Sequence, residues 1–320
     1  MSHEKVVALL EELPAAQLEL LREVLPVPWR LEPDGNGNGA LAGAEAIIVR
    51  DAVLDRQVLE QARNLRTVVQ IDVGSGSVDD GACRSRGVSI EVIPSPSLMS
   101  VAEHAVMAML MLLKRVPEAT ARLRAGIVVG GAEPELTTQE HYAYNWVGLE
   151  HFDALWGQTV GLVGLGRIGT HVARLLRAFG AEVLCTKRTP LTADEEEGLG
   201  VRCVPLDELL HRSRIVSLHN RFTPETERMM GAREFALMPE RSFFVNTARG
   251  RLVDEAALVE ALGSGHLAGA ALDVFWYEPL QPESPLRDTP NLIATPHTGG
   301  IPSAESQVLE LREAARRLTS

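Results

Sequence analysis

The sequence has little of several features that would define other classes of protein. Its three cysteines, Cys83, Cys185 and Cys203, form no CxxC or CxxH spacing, so we predict no metal site and expect reduced thiols in the cytoplasm. Aromatic residues make up 4% of the chain, whereas alanine, leucine and glycine are plentiful. This composition favours helices packed on a parallel sheet over a β-sandwich.

The chain also lacks an excess of basic residues and a long apolar run. Its formal net charge is −12, which argues against a nucleic-acid partner or an anionic membrane surface, because phosphate binding needs clustered Lys and Arg. No cationic start followed by an apolar stretch opens the chain, and the richest apolar run, residues 101–115, is short and charged at its edges. We therefore expect no membrane partner, and any cationic site must be local.

The sequence instead alternates strand-like and helical runs. Helical segments separate "KVVALL", "AEAIIVR", "RTVVQI" and "VSIEVIP", and a second such series begins after Gly157 with "TVGLVG" and "EVLCT". A β/α alternation of this kind predicts parallel sheets covered by helices, which is an α/β fold. With 320 residues, the chain is long enough for two domains.

Two segments between these series point to a partner subunit. Ser100 and Glu103 suggest a capping box, and the helix predicted to begin there is apolar almost all round. Such a helix must be buried between domains or between subunits. Residues 126–150 then follow without periodicity and carry several aromatic rings; they could form a lid, an arm to a partner subunit or a loop. From the two segments together we expect a homodimer.

The stretch "GLVGLGRIG" ends a predicted strand and opens a predicted helix, which is the context of a dinucleotide-binding turn. Gly164 allows the tight turn, Gly166 lets the backbone approach a pyrophosphate, and Gly169 lets the helix pack closely on the strand. The alternative is a chance match in a glycine-rich loop, which the flanking strand and helix argue against. We predict that a dinucleotide binds here.

The choice of dinucleotide depends on the end of the next strand, where an acidic residue usually holds the ribose. Lys187 and Arg188 stand there, followed by Thr189. A Lys-Arg pair binds a 2′-phosphate through charge-assisted hydrogen bonds, whereas an acid would repel it. The pattern therefore predicts NADP(H) as the preferred cofactor, with NAD(H) possible and Arg221 a second phosphate ligand. The alternative is a solvated charge pair at a strand end.

Farther along, "VNTARGRLVD", "ALDVFWYEP" and "TPHTGG" follow "GLGRIG" in order. Together these motifs resemble the D-isomer-specific 2-hydroxyacid dehydrogenase family, from about residue 40 to about residue 312. The resemblance implies an NAD(P)-dependent oxidoreductase that reduces a small 2-ketoacid to the D-2-hydroxyacid, or runs the reverse reaction. It also implies a Rossmann doubly wound nucleotide domain over residues 100–296 and a flavodoxin-like α/β substrate domain over residues 1–99 and 297–320.

The same resemblance implies roles for individual residues. His297 corresponds to the catalytic acid and base, Glu278 to the acid that orients it, and Arg249 to the substrate-binding cation. The residue types suit the chemistry, because hydride addition to a keto carbon leaves a negative charge that needs a cation and a proton. Val73 and Gly74 correspond to substrate-binding positions. The remaining positions implied at the cofactor are Arg167, Ile168, Asn220, Thr223, Thr247, Ala248, Asp273, His297 and Gly299.

Some positions depart from the family pattern and leave the substrate open. Asp72 stands where the family usually has Gly, and Gly76 where it usually has Asp. Two alternative functions also stay open: a formate- or phosphite-type dehydrogenase of the same fold, and a nucleotide-sensing scaffold like the corepressors that share it. Glu278 favours the hydroxyacid reaction, since formate-type sites tend to replace that acid, and a turnover assay would distinguish an enzyme from a scaffold.

Overall fold

The computed structural model describes residues 4–10, 13–33, 39–50, 52–72, 78–301 and 303–318. Contacts between residues divide the chain into two compact units, the first formed by Met1–Ser100 with Gly300–Ser320 and the second by Val101–Gly299. Residues 297–299, which the sequence assigned to the first domain, lie with the second unit. Each unit is built on a parallel sheet, so the predicted α/β class is confirmed.

The elements alternate along the chain as the sequence predicts. The strands are β1 (Lys5–Leu9), β2 (Trp29–Pro33), β3 (Ala46–Val49), β4 (Thr67–Asp72), β5 (Ser89–Pro94), β6 (Thr159–Val163), β7 (Glu182–Thr186), β8 (Arg202–Cys203), β9 (Ile215–Leu218), β10 (Ser242–Asn246), β11 (Leu267–Leu272) and β12 (Leu292–Ala294). The helices are α1 (Ala15–Val24), α2 (Gly39–Gly43), α3 (Arg56–Gln61), α4 (Asp80–Ser85), α5 (Pro96–Leu113), α6 (Val116–Arg124), α7 (Arg167–Ala178), α8 (Ala193–Leu199), α9 (Leu206–Arg212), α10 (Ala232–Leu237), α11 (Glu255–Gly263) and α12 (Ala304–Arg317).

The first unit has a five-stranded parallel sheet in the order β2-β1-β3-β4-β5. This is the flavodoxin-like order that the sequence predicts. The last helix, α12, packs on α1 and contributes Leu311 to the core of this unit. Glu310 on α12 is buried, accepts a hydrogen bond from Ser95 Oγ at 3.0 Å and pairs with Arg50. The C-terminal helix is therefore an integral part of the first unit.

The second unit has a seven-stranded parallel sheet in the order β12-β11-β10-β9-β6-β7-β8. Its central strands β9 and β10 are buried along their whole length, as expected of strands covered on both faces of the sheet. The strand order reverses between β6 and β9, which makes this a doubly wound Rossmann sheet. Ligands of such sheets bind outside the carboxyl ends of the strands at this reversal, so the fold itself indicates where the site lies.

The apolar helix α5 begins earlier than predicted. It begins at Pro96, whose fixed φ suits a first helical turn, and the buried Ser95 Oγ accepts from Ser97 N–H at 3.3 Å. The predicted capping box at Ser100 is therefore wrong, because that residue lies inside the helix. With the added turn, α5 is long and apolar enough to cross a membrane by length and composition alone, contrary to expectation. This is weak evidence for a membrane span, since Met109 and its buried neighbours on α5 pack in the core of the second unit.

The expectation of reduced thiols is wrong for two of the cysteines. Cys185 on β7 and Cys203 on β8 form a disulfide with a Cα–Cα distance of 4.5 Å. The physical reason is that parallel pairing makes them direct register partners, although they lie 18 positions apart in sequence. Cys83 is free and buried. The cytoplasmic location, which was inferred in part from the thiols, stays a prediction.

Candidate functional site

The glycine-rich turn between β6 and α7 has a geometry that few other residues would permit. Gly164 has φ of +95°, and a Cβ added there would lie 2.0 Å from Asn220 Oδ1. A Cβ on Gly169 would lie 2.6 Å from the Gly164 carbonyl oxygen, whereas a Cβ on Gly166 would meet no atom within 4 Å. The turn is thus tight on its inner side and open above Gly166, where the N-terminus of α7 begins. This shape suits a pyrophosphate.

Two buried polar atoms at the carboxyl edge of the sheet have no hydrogen-bond partner among the residues that the structure describes. They are Asn220 Oδ1, just beyond β9, and Thr247 Oγ1, just beyond β10. Buried polar atoms are nearly always hydrogen-bonded, so two unpaired ones at the carboxyl edge of the sheet are available to a polar ligand. The residues present therefore fit a bound dinucleotide.

Cationic side chains gather around the same edge. Lys187 is partly exposed and Arg188 is exposed, and neither forms an ion pair within the described part of the chain. Thr189 is exposed beside them. The pKa of Arg167 is lowered mainly by burial and, to a lesser extent, by the charge of Arg221. The second effect indicates that these two guanidinium groups lie close to each other. An anion bound near them would relieve this repulsion.

The other residues predicted at the cofactor have structural contacts of their own. Ile168 packs against the core of the second unit. Thr223 N–H donates to Thr226 Oγ1 at 2.8 Å and begins a short turn. Ala248 N–H donates to Asn246 Oδ1 at 3.0 Å. These bonds shape the loops after β9 and β10.

The predicted catalytic acid and its partner are in direct contact. His297 Nδ1 lies 2.6 Å from Glu278 Oε2, and Glu278 Oε1 accepts from Phe275 N–H at 3.0 Å. The two side chains keep 47% and 38% of their surface exposed, so a small molecule can reach them. An ionised carboxylate only accepts hydrogen bonds, so Nδ1 carries the hydrogen and Nε2 is left for a substrate.

Arg249 lies in a loop that packs tightly against the segment leading to Glu278. A Cβ on Gly250 would lie 2.0 Å from the Phe275 carbonyl carbon, so the two backbones touch. Asn246 Nδ2 donates to the Arg249 carbonyl at 3.0 Å and fixes the loop. The Arg249 side chain is exposed, and its Nη1 donates to the Ala248 carbonyl at 2.6 Å. It makes no hydrogen bond to Glu278 or His297 among the described residues.

The carboxylate of Asp273, which the resemblance put beside the nicotinamide, accepts hydrogen bonds from other groups of the protein. It is 3% exposed and accepts hydrogen bonds from Thr295 Oγ1 at 2.6 Å, Thr298 N–H at 2.9 Å and Gly299 N–H at 2.8 Å. His104 also approaches this group, with Nε2 at 3.0 Å from Thr295 Oγ1. Sequence reasoning missed His104 and Thr295: His104 belongs to no motif, Thr295 only opens "TPHTGG", and the two lie 191 positions apart.

A second missed histidine lies at the end of β9. His219 Nε2 is 3.0 Å from Ser217 Oγ, and burial lowers the pKa of His219 to about 4. The ring is therefore neutral at physiological pH and can contribute shape and hydrogen bonding beside Asn220, but no charge. The two substrate-binding positions, Val73 and Gly74, lie outside the described residues.

The chain is similar to several known proteins. Residues 106–299 match the family model described as D-isomer specific 2-hydroxyacid dehydrogenase, NAD binding domain. The chain is 36% identical over 304 residues to a D-3-phosphoglycerate dehydrogenase of Mycobacterium bovis, which covers 94% of this chain and 54% of that protein. It thus spans about half the length of that relative.

Two further similarities cover more of the matched protein. A glyoxylate reductase of Korarchaeum cryptofilum is 36% identical over 244 residues, 76% of this chain and 69% of its own length. The crystal structure of a glyoxylate reductase from Paecilomyes thermophila superposes with a TM-score of 0.67 at 27% identity, covering 99% of this chain and 95% of that one. The similarity in fold therefore extends over nearly the whole chain.

Proposed function

The chain belongs to the D-isomer-specific 2-hydroxyacid dehydrogenase family, and we propose that it reduces a small 2-ketoacid to the D-2-hydroxyacid, or runs the reverse reaction. The observation that carries this proposal is the 2.6 Å contact between His297 Nδ1 and Glu278 Oε2 within the unit that holds the glycine-rich turn. The relatives named as glyoxylate reductase and D-3-phosphoglycerate dehydrogenase support the substrate class. Val73 and Gly74 stay predicted ligands of the substrate carboxylate.

His297 supplies the proton in this proposal. Because Nδ1–H donates to Glu278, Nε2 is the atom that gives a proton to the keto oxygen and regains it in the reverse direction. The negative charge of Glu278 stabilises the imidazolium form and holds the ring in one orientation. Formate and phosphite oxidation need no proton donor to a keto oxygen, so this pair favours the hydroxyacid reaction over that alternative.

Arg249 stabilises the charge that develops on the substrate. Its guanidinium is exposed, its loop is fixed by Asn246, and its neighbour Gly250 packs against Phe275 beside Glu278. A planar fork of N–H donors suits a carboxylate and the adjacent oxygen. Rotation away from the Ala248 carbonyl would free Nη1 for this contact.

NADP(H) is the preferred cofactor in this proposal, and NAD(H) is the alternative. The turn at Gly164, Gly166 and Gly169 would hold the pyrophosphate, while Asn220 and Thr247 offer unpaired acceptor and hydroxyl groups. Lys187 and Arg188 would bind the 2′-phosphate, Arg221 is its second predicted ligand, and Arg167 lies near Arg221. When bound, the nicotinamide supplies a hydride to the carbonyl carbon.

A homodimer is the proposed assembly. Exposed apolar side chains lie on α5 and along the segment after it, including Met107 at 42%, Tyr144 at 88% and Trp156 at 79% exposure. Large apolar side chains in such numbers are typical of a surface that another chain covers.

The cofactor preference can be tested at Lys187 and Arg188. In the double variant Lys187→Glu with Arg188→Ser, we expect the KM for NADPH to rise about tenfold to hundredfold, because charge-assisted bonds to the 2′-phosphate are lost. The KM for NADH should stay near the wild-type value. Arg202→Ser, which removes an exposed charge on β8, is the matched control. Equal losses for NADPH and NADH would contradict the assignment.

The reaction can be tested with a panel of ketoacids. We expect NADPH to be oxidised in the presence of glyoxylate, hydroxypyruvate, pyruvate, phenylpyruvate or a branched 2-ketoacid. The decrease in NADPH absorbance measures this reaction. His297→Gln should lower kcat about hundredfold or more while the dissociation constant of NADPH changes far less, because the proton donor is removed. A wild-type protein that binds NADPH but turns over none of these acids would instead favour the nucleotide-sensing scaffold.

The assembly can be tested by light scattering at micromolar concentration. We expect twice the mass of one chain for the wild type and the mass of a single chain for Tyr144→Glu, because a charge replaces a ring at the proposed contact. Leu309→Glu, on the exposed face of α12 in the first unit, should leave the dimer intact. A wild-type monomer would exclude the homodimer.

A further inference from the structure

The loop that carries His297 is hydrogen-bonded to the Asp273 carboxylate from inside the second unit. Asp273, at the end of β11, accepts from Thr298 N–H at 2.9 Å and from Gly299 N–H at 2.8 Å. His297 itself has φ of +53°, the left-handed region that non-glycine residues rarely adopt. Such a conformation persists only where the surroundings impose it. The two bonds to Asp273 lie directly after this residue, so they are well placed to impose it.

The hydrogen-bond directions around Asp273 can be assigned from chemistry. Thr295 Oγ1 lies 2.6 Å from Asp273 Oδ1, and the carboxylate can only accept, so the hydroxyl donates its one hydrogen there. His104 Nε2 lies 3.0 Å from the same hydroxyl oxygen. That contact therefore requires a hydrogen on Nε2 of His104. The result is a directed chain from His104 through Thr295 to Asp273.

His104 is placed on a rigid element. Its neighbours on α5, Ala102 and Ala105, are fully buried in the core of the second unit together with Ala271 of β11. The imidazole is 14% exposed and lies 3.6 Å from Asp273 Oδ1. A Cβ on Gly299 would lie 3.2 Å from His104 Cγ and 2.8 Å from Asp273 Oδ2. The loop thus packs directly against both side chains.

We infer that His104 and Thr295 are positioning residues for His297. They orient Asp273, which in turn holds the backbone of residues 298 and 299 and so fixes the left-handed turn at His297. This inference rests on the proposed role of His297 as the proton donor. In this inference neither side chain acts on the reacting atoms, since each acts through the loop. Supports of this kind matter because a small displacement of a reacting group can cost about a hundredfold in rate.

Two pairs of variants test the chain of bonds. Thr295→Val removes the hydroxyl at nearly constant volume, and Thr295→Ser keeps it. His104→Leu removes the donor, whereas His104→Gln places an amide N–H near the position of Nε2. His211→Gln is the matched control, since that histidine is exposed and its Nδ1 bonds to a carbonyl of its own helix. Thr295→Val hardly changes the side-chain volume, so this variant can still test the inference if His104→Leu fails to fold.

The first measurement is backbone hydrogen exchange of the free protein. In Thr295→Val and His104→Leu, we expect exchange at Thr298 and Gly299 to rise about tenfold, since each amide loses a well-oriented acceptor. The serine and glutamine variants and the control should resemble the wild type. Unchanged exchange at these two amides would overturn the inference. A uniform rise over residues 101–299 would also overturn it, because it would indicate general destabilisation.

The second measurement separates positioning from binding. In the same two variants, kcat with the best ketoacid should fall about tenfold to hundredfold while the KM for NADPH stays near the wild-type value. Recovery of kcat in Thr295→Ser and His104→Gln would support the inference, and unchanged kcat in all variants would overturn it. If the wild type reduces no ketoacid, the proposed function fails, and the exchange data alone still decide whether the chain of bonds holds the loop.

Discussion

The hydrogen bond between His297 and Glu278 is the interaction on which the candidate site depends. At 2.6 Å it assigns the hydrogen to Nδ1, so Nε2 is the ring atom that would exchange a proton with a substrate in the proposed reaction. Glu278 is held in turn by Phe275 N–H at 3.0 Å. A histidine without this partner could rotate and change tautomer, and in the proposed reaction Arg249 would then stabilise a charge with no proton donor to neutralise it.

The doubly wound sheet explains how residues far apart in sequence reach one place. The glycine turn follows β6, Lys187 follows β7, Asn220 follows β9, and Asp273 follows β11. In a parallel sheet all these carboxyl ends lie at one edge, so each loop adds one chemical group to the same region. Buried oxygens such as those of Asn220 and Thr247 normally have a hydrogen-bond partner within the protein. Because these two have none among the described residues, they are available to bind a ligand.

The sequence predicted structural features correctly where they depend on residues close together in the chain. The Val- and Ile-rich strands and the glycine spacing at 164, 166 and 169 depend on near neighbours, and the structure contains the expected strands and turn. It failed where the determinant is a contact through space. The Cys185–Cys203 disulfide follows from the register of β7 and β8, and the contact between His104 and Thr295 spans 191 positions. The start of α5 was misplaced because the Ser100 pattern resembles a cap, while Ser95 and Pro96 form the real one.

Single-turnover hydride transfer in a Glu278→Gln variant is the most direct test of this central interaction. Glutamine can still accept from Nδ1–H but carries no charge to stabilise the imidazolium. When enzyme saturated with NADPH is mixed with ketoacid, we expect NADPH oxidation to be about hundredfold slower than in the wild type, with an unchanged dissociation constant for NADPH. An unchanged rate would show that Glu278 has no part in proton donation and would remove the basis of the proposed reaction.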